Sequence, residues 1–370
     1  MNLGFDAKRI FHNTTGLGNY SRDLIQIISK FYPENSFRLY NPKKKRVDRL
    51  VLTDKVVEVL PKAKFWKKFS SIWRQGPIVK QLVEDEVEIF HGLSGEIPKG
   101  LRKNNVKSVV TIHDLIFVRF PKLYSFINRT IYFKKAKNAA HQSDVIIAIS
   151  EQTKRDVVEF LKVDEAKVTV IYQGCHHTFK EEKSLEYKNE VIRKFKIPSD
   201  FILSVGTIIE RKNLLTLVEA VKDLETPLVV VGGKTAYYKK VVAYIEEYQL
   251  QDKIFFLEGV NINELSAIYQ IAQVFVYPSI FEGFGIPIVE ALYSKTPVIT
   301  SKGGCFDEAG GPDSIYIDSY DVVDLKEQLT LLLDNPLKRN QVAEKGYIFA
   351  QKFNDDQIAK NVMDVYQKLI

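Results

Sequence analysis

Short apolar runs alternate with helical patterns along the whole 370-residue chain, and this alternation constrains the fold more than any other feature. The runs fall at residues 2–5, 88–90, 107–112, 144–150, 168–172, 201–206, 227–232, 253–257, 274–277, 297–300 and 315–317. Each is too short for a helix and ends at turn residues. Between them lie helical spacings such as Leu24, Ile25, Ile27 and Ile28, or Leu214, Leu217, Val218 and Val221. Strands separated by helices pair in parallel through right-handed crossovers. The length exceeds one typical domain of this kind, so two are expected, over residues 1–180 and 190–354, with the polar run 179–188 as linker. After Asp321 the pattern stays helical to residue 369 apart from short breaks.

One strand–turn–helix unit carries the densest chemistry. Residues 274–277 (VFVY) are followed by a loop with Gly283 and Gly285 around Phe284, then by Pro287 at a helix start. Glu282 lies in the loop, and Glu290 is expected in the first helical turn, leaning back toward it. Both carboxylates then reach one cavity at the C-terminal edge of a sheet. The glycines leave N–H groups free at a helix N-terminus, where an anion is favoured. Donors for a phosphate and acceptors for hydroxyls together suit a sugar nucleotide. An ordinary βα turn with a Glu favouring the dipole is the plain alternative.

Other segments repeat this logic. Gly16-Leu17-Gly18-Asn19-Tyr20 forms a glycine-rich turn between the first strand and the first helix, where a backbone can approach a ligand. His91 and His113 each follow an apolar run and are expected at strand ends facing a ligand crevice. Arg211 and Lys212 precede a helix that Asn213 is suited to cap. Cations are disfavoured there unless an anion is also present, and such local conflicts mark functional sites.

Composition narrows the partners. The net charge of +7 suits nucleotide diphosphates, lipid phosphates or anionic membranes. No recognition-helix or zinc-finger pattern supports nucleic acid. Basic residues gather at 42–46 and 62–69, and the second run mixes Lys with Trp66, Phe65 and Phe69. Two readings stand for that run: contact with bilayer headgroups, or a solvated loop packing its aromatics on its own domain. Two cysteines without metal spacing, no signal-like N-terminus and no run long enough to span a bilayer point to a cytoplasmic protein, membrane-associated if that contact is made.

The segment EGFGIPIVE resembles the E-x7-E motif of the retaining glycosyltransferases of family 4, and SKTPVITSKGGCFDEAG resembles its continuation, with Ser294-Lys295 in place of the common Cys-Gly. TGLGNY, TIHDLIFVRFP and VGTIIERKNLLTLVEA extend the resemblance over almost the whole chain, although Gln173 replaces a usual Asn and Thr207 stands where Arg is common. The resemblance implies a GT-B fold: two Rossmann-like, doubly wound parallel-sheet domains facing across a cleft, with a final helix at about 355–370 packing back on the first. It implies Lys212, with Arg211, at the leaving diphosphate, together with Thr207, Gly16, Gly18, Gly283, Phe284 and Gly285. It places Glu282 and His113 at the transferred sugar and Glu290 at the ribose. His91, Asn19 and Tyr20 fall on the acceptor side.

The expected activity is transfer of a hexose from a nucleotide-diphosphate sugar to a glycan or lipid-linked acceptor. No Asp-x-Asp follows a strand, so no metal and no further cofactor are expected. A sugar-nucleotide epimerase of similar fold and a non-catalytic nucleotide-sugar-binding subunit remain the rivals.

Overall fold

The computed structural model describes residues 1–44, 50 and 52–370. The chain forms two compact units: residues 1–173 with 353–370, and residues 174–352. Each is built on one sheet whose neighbouring strands all run parallel.

The first unit holds β1 (Asn2–Asp6), β2 (Ser36–Tyr40), β3 (Val56–Val59), β4 (Ile89–Gly92), β5 (Lys107–Ile112), β6 (Val145–Ala148) and β7 (Val168–Val170). They lie in the order β3-β2-β1-β4-β5-β6-β7. Successive side chains of a strand point to opposite faces. Val109 therefore enters one apolar layer and Val110 the other, as do Ile147 and Ile146. Strands β2 and β3 were not anticipated. β2 carries a period-2 signal, with Phe37 and Leu39 buried around half-buried Arg38, but in only five residues. β3 is an edge strand whose Val57 faces solvent.

The second unit holds β8 (Ile202–Val205), β9 (Leu228–Val231), β10 (Ile254–Leu257), β11 (Val274–Tyr277), β12 (Val298–Ser301) and β13 (Ile315–Ile317), in the order β10-β9-β8-β11-β12-β13. In both sheets the strand order reverses direction at one place, beside β1/β4 and beside β8/β11. In such sheets ligands bind outside the carboxyl ends of the strands at that reversal.

The change between units falls at Gln173/Gly174 and not within the polar run 179–188. Phe179 is the reason: it is buried, and its ring meets Tyr269 edge-on at 5.6 Å. Thr178 donates to Asn263 at 2.6 Å, which fixes the same stretch to the second unit. The chain returns at Phe353. The helix Asp355–Gln367 then lays Ile358, Ala359, Val362, Met363 and Tyr366 into the first unit's core against the helix Gly16–Phe31.

Candidate functional site

The reversal of the second sheet gathers two turns. After β8, Gly206 takes φ +145°. Gly232 lies so close that a Cβ on it would stand 1.9 Å from the Gly206 carbonyl oxygen, so only glycine fits there. Thr207 is exposed. Arg211 and Lys212 end a 3-10 turn, Glu210–Lys212. Asn213 does not cap the next helix with its side chain, contrary to expectation. It sits at φ +55°; its amide donates to the Ser319 carbonyl and its oxygen accepts from Thr216 at 3.0 Å. After β11, the loop is tied to the first turn where Ile280 N–H donates to the Arg211 carbonyl at 2.9 Å.

Glu282 is the centre of the site. Its Oε1 lies 2.6 Å from Arg211, 2.7 Å from Lys212 and 3.0 Å from the Tyr277 hydroxyl, which donates to it. Lys212 also donates to that hydroxyl, and Arg211 to the Phe281 carbonyl. Burial alone would raise the Glu282 pKa, but Lys212 and Arg211 overcome it and hold the carboxyl at about 2. Burial lowers the Lys212 pKa despite the attraction of Glu282. The thiol of Cys305 donates to the carbonyls of Phe284 (2.9 Å) and Glu282 (3.3 Å) and clamps the loop from below. Burial raises its pKa well above the usual value, so it stays a neutral structural donor.

Glu290 lies on the helix that follows the loop. The helix begins at Ile286, so Glu290 is in the second turn and not the first. Its Oε2 accepts from the Tyr269 hydroxyl at 3.0 Å. Gly285 precedes the helix at φ +113°, a glycine conformation. The Phe284 ring is only 2% exposed and packs in the core. The sequence reading missed Tyr277, Tyr269 and Cys305. A tyrosine closing an otherwise aliphatic strand was the available signal for Tyr277.

In the first unit the helix already begins at Gly16, so Gly16 to Tyr20 form its first turns and not a free loop. Asn13 organises the entry, its Oδ1 accepting from Thr15 N (2.8 Å), Thr15 Oγ1 (2.9 Å) and Gly18 N (3.2 Å). A Cβ on Gly18 would stand 2.1 Å from the Asn13 carbonyl oxygen, whereas one on Gly16 would meet nothing. The Asn19 side chain accepts from buried Arg22 at 2.6 Å. The Tyr20 hydroxyl pairs with Thr111 at 3.2 Å and its ring meets His113 edge-on at 4.6 Å.

The two histidines differ. His91 lies inside β4, 1% exposed, with Nδ1 2.6 Å from the Tyr366 hydroxyl and Nε2 2.8 Å from Thr111 Oγ1. It is a core residue whose ring nitrogens are both engaged, which corrects its assignment to the acceptor side. His113 follows β5 and is half-buried. Its Nε2 lies 2.9 Å from the Leu93 carbonyl, which only accepts, so Nε2 carries the proton. Nδ1 then accepts from the Gln173 amide at 3.0 Å. The Leu93 carbonyl thus sets the tautomer of His113, and Gln173 meets the nitrogen left as acceptor.

Burial lowers both histidine pKa values, His91 to about 3 and His113 to about 4. Unfolded, each protonates near 6.5. Their contribution to stability is therefore complete above about pH 6.5 and is lost as pH falls through the window down to 4 and 3. Each should remove about 2 kcal/mol between pH 7.5 and 5. Urea unfolding at pH 7.5, 6 and 5 checks this. A His91→Gln variant should unfold with a shallower pH dependence, and an unchanged slope would mean that His91 does not titrate in this way.

Comparison with known proteins fits these halves. A model described as Glycosyltransferase Family 4 matches residues 30–179, and one described as Glycosyl transferases group 1 matches residues 188–349. The O-antigen chain mannosyltransferase RfbU of Salmonella typhimurium is 30% identical over 214 residues, 57% of each chain. The O-antigen chain mannosyltransferase B of Escherichia coli is 22% identical over the full length of both. Among solved structures, a sucrose-phosphate synthase from Thermosynechococcus elongatus aligns over 100% of this chain and 99% of its own with a TM-score of 0.82 at 19% identity. WaaG, a glycosyltransferase involved in lipopolysaccharide biosynthesis, aligns over 99% of each chain with a TM-score of 0.73 at 17% identity. Anabaena HepE in complex with UDP and glucose gives 0.75 at 16%, again over 99% of each.

Proposed function

This chain belongs to the glycosyltransferases of GT-B fold that join a family 4 domain to a group 1 domain, and from that premise we propose that it moves a hexose, with retention and without a metal ion, from a nucleotide-diphosphate sugar to a glycan or lipid-linked acceptor in polysaccharide assembly. The observation that carries the reading is the convergence of Arg211, Lys212 and Glu282 at the strand-order reversal of the second unit. Two half-buried cations with one carboxylate between them form a site from which a diphosphate can displace that carboxylate. Glu282 is then free to accept from hexose hydroxyls, and Glu290 from ribose hydroxyls.

As the sugar–phosphate bond breaks, charge builds on the departing phosphate oxygens. Cations already held in place stabilise that charge without reorganisation. His113, held as a neutral imidazole by the Leu93 carbonyl and the Gln173 amide, lines the sugar side of the site as an uncharged ring and adds no positive charge there. The names of the two O-antigen relatives favour mannose as the hexose. Work on the cytoplasmic face of a membrane, with contact through residues 62–69, completes the reading.

The test is release of nucleoside diphosphate from a panel of GDP-, UDP- and ADP-sugars, mannose donors first, with and without acceptor. Turnover should persist in excess EDTA after dialysis. Loss of turnover that Mg²⁺ or Mn²⁺ restores would remove the metal-independent reading. A sugar nucleotide converted to its epimer, with no acceptor glycosylated, would favour the epimerase instead.

A further inference from the structure

The side chain that meets Glu290 comes from outside the strand, loop and helix that hold the two carboxylates. Tyr269 lies on the helix Ile262–Ile271, and its hydroxyl donates to Glu290 Oε2 at 3.0 Å. The residue is fully buried. Its ring meets Phe179 edge-on at 5.6 Å and Phe275 of β11 at 5.2 Å. Its backbone carbonyl accepts from Thr296 Oγ1 at 2.6 Å. A ring packed between two others, on a residue pinned through its main chain, has little room for a second rotamer.

The helix that carries it is fixed as firmly. It starts in a capping box, where Asn261 Oδ1 accepts from Glu264 N–H at 3.1 Å and the Glu264 carboxylate accepts from Asn261 N–H at 2.9 Å. Further along, Ser266 donates to the Thr178 carbonyl and Gln270 to the Glu181 carbonyl, each at 2.8 Å. The Tyr269 hydroxyl is thereby delivered to one place.

Glu290 has no such rigidity of its own. It is half-buried, on a long side chain. A carboxylate that meets ribose hydroxyls from such a side chain loses rotamer freedom on binding, unless a protein contact has already removed that freedom. A phenol suits the task, because it donates one hydrogen bond and carries no charge. Burial, and then Glu290, raise the Tyr269 pKa well above its usual value, so the hydroxyl keeps its proton and donates. The two carboxylates are thus held in different ways. Glu282 is gripped by two cations that an incoming diphosphate can claim, whereas Glu290 is held by a neutral donor that no anion displaces.

With Glu290 at the ribose, as proposed above, we propose that Tyr269 is the positioning residue of nucleotide recognition. Its hydroxyl holds the Glu290 carboxylate in the orientation that the ribose hydroxyls meet, and it acts through that carboxylate alone.

Tyr269→Phe keeps the ring and removes only the hydroxyl. Glu290 is half-buried, so water can replace the lost donor and the fold should survive. Calorimetric titration of the full chain with GDP, UDP and ADP, and with pyrophosphate, which has no ribose, reads the effect. The variant should bind the nucleoside diphosphate that wild type prefers about 10-fold more weakly, and pyrophosphate within about 2-fold of wild type. A hydroxyl that only stabilised the fold would lower the melting temperature and leave both affinities alone or move them together. In kinetics the KM for the donor should rise about 10-fold while kcat changes less than about 2-fold, because the ribose contact is the same in the ground and transition states. In a Glu290→Ala background, Tyr269→Phe should add less than about 2-fold, since nothing is left to position. Wild-type nucleotide binding by Tyr269→Phe, alongside weakened binding by Glu290→Ala, overturns the role of Tyr269 and leaves Glu290 at the ribose. An equal loss for pyrophosphate overturns it as well. Wild-type nucleotide binding by Glu290→Ala takes the ribose away from Glu290 and the role of Tyr269 with it.

Discussion

Lys212→Ala should lower kcat/KM at least ~10²-fold, the effect of removing one preorganised donor from a developing anion. The substitution removes the ammonium 2.7 Å from Glu282 and leaves Arg211 with that carboxylate, so one counter-charge remains and the local turn is retained. The defect should appear in kcat as much as in KM, because the charge that Lys212 meets is largest in the transition state. Lys212→Arg keeps the charge but replaces the compact ammonium held over the Tyr277 ring with a larger planar fork, so only partial recovery is expected. Steady-state kinetics on both variants, with melting temperatures to confirm folding, decide the matter. Near-normal turnover of Lys212→Ala would remove the residue from the mechanism.

The two carboxylates should separate binding from turnover. In Glu290→Gln the amide oxygen still accepts from Tyr269, so the packing around it survives. What changes is the acceptor offered to a ribose hydroxyl, and an unpaired hydroxyl costs about 1–3 kcal/mol. Free nucleoside diphosphate should therefore bind about 5- to 150-fold more weakly. Glu282→Gln acts in the opposite sense. It leaves Arg211 and Lys212 without their anion, and a diphosphate supplies one, so nucleoside diphosphate should bind as well as before or better. Turnover with the intact donor should nevertheless fall, because the hexose loses its partner. Calorimetric titration with the diphosphate and kinetics with the donor give both halves. Loss of diphosphate binding in Glu282→Gln with retention in Glu290→Gln would reverse the roles. If neither variant changes binding or rate, the motif has no part in this chemistry.

The parallel sheets and the Glu282 loop were legible because their signals are local. Strand, glycine turn, proline and helix follow one another within twenty residues, and Arg211-Lys212 before a helix is a conflict visible in the sequence itself. What the sequence does not encode is which strand ends become neighbours. The contact between Glu282 and Lys212 joins residues 70 apart, and no local pattern predicts that Tyr277 completes it. His91 and His113 looked equivalent because both follow apolar runs. Strand β4 runs one residue past His91, whereas β5 stops one residue short of His113, so His91 is held within its sheet, against a tyrosine 275 residues away. Glu290 was placed one turn too early because Pro287 occupies the second helical position and not the first. The linker was misread because polar residues around Phe179 hid one buried ring that fixes the stretch to the second unit.

The return of the chain at Phe353 has a consequence for synthesis. Residues 174–352 form an insert within the first unit, so the ribosome completes the second unit while the first still lacks one wall. Until the helix Asp355–Gln367 emerges, the apolar side of the helix Gly16–Phe31 has no cover and His91 has no tyrosine to meet. The half that begins first thus finishes last. A break in translation anywhere in the second unit releases a first unit whose seven strands are all made but whose core is still open, which quality control can recognise by that exposed apolar face.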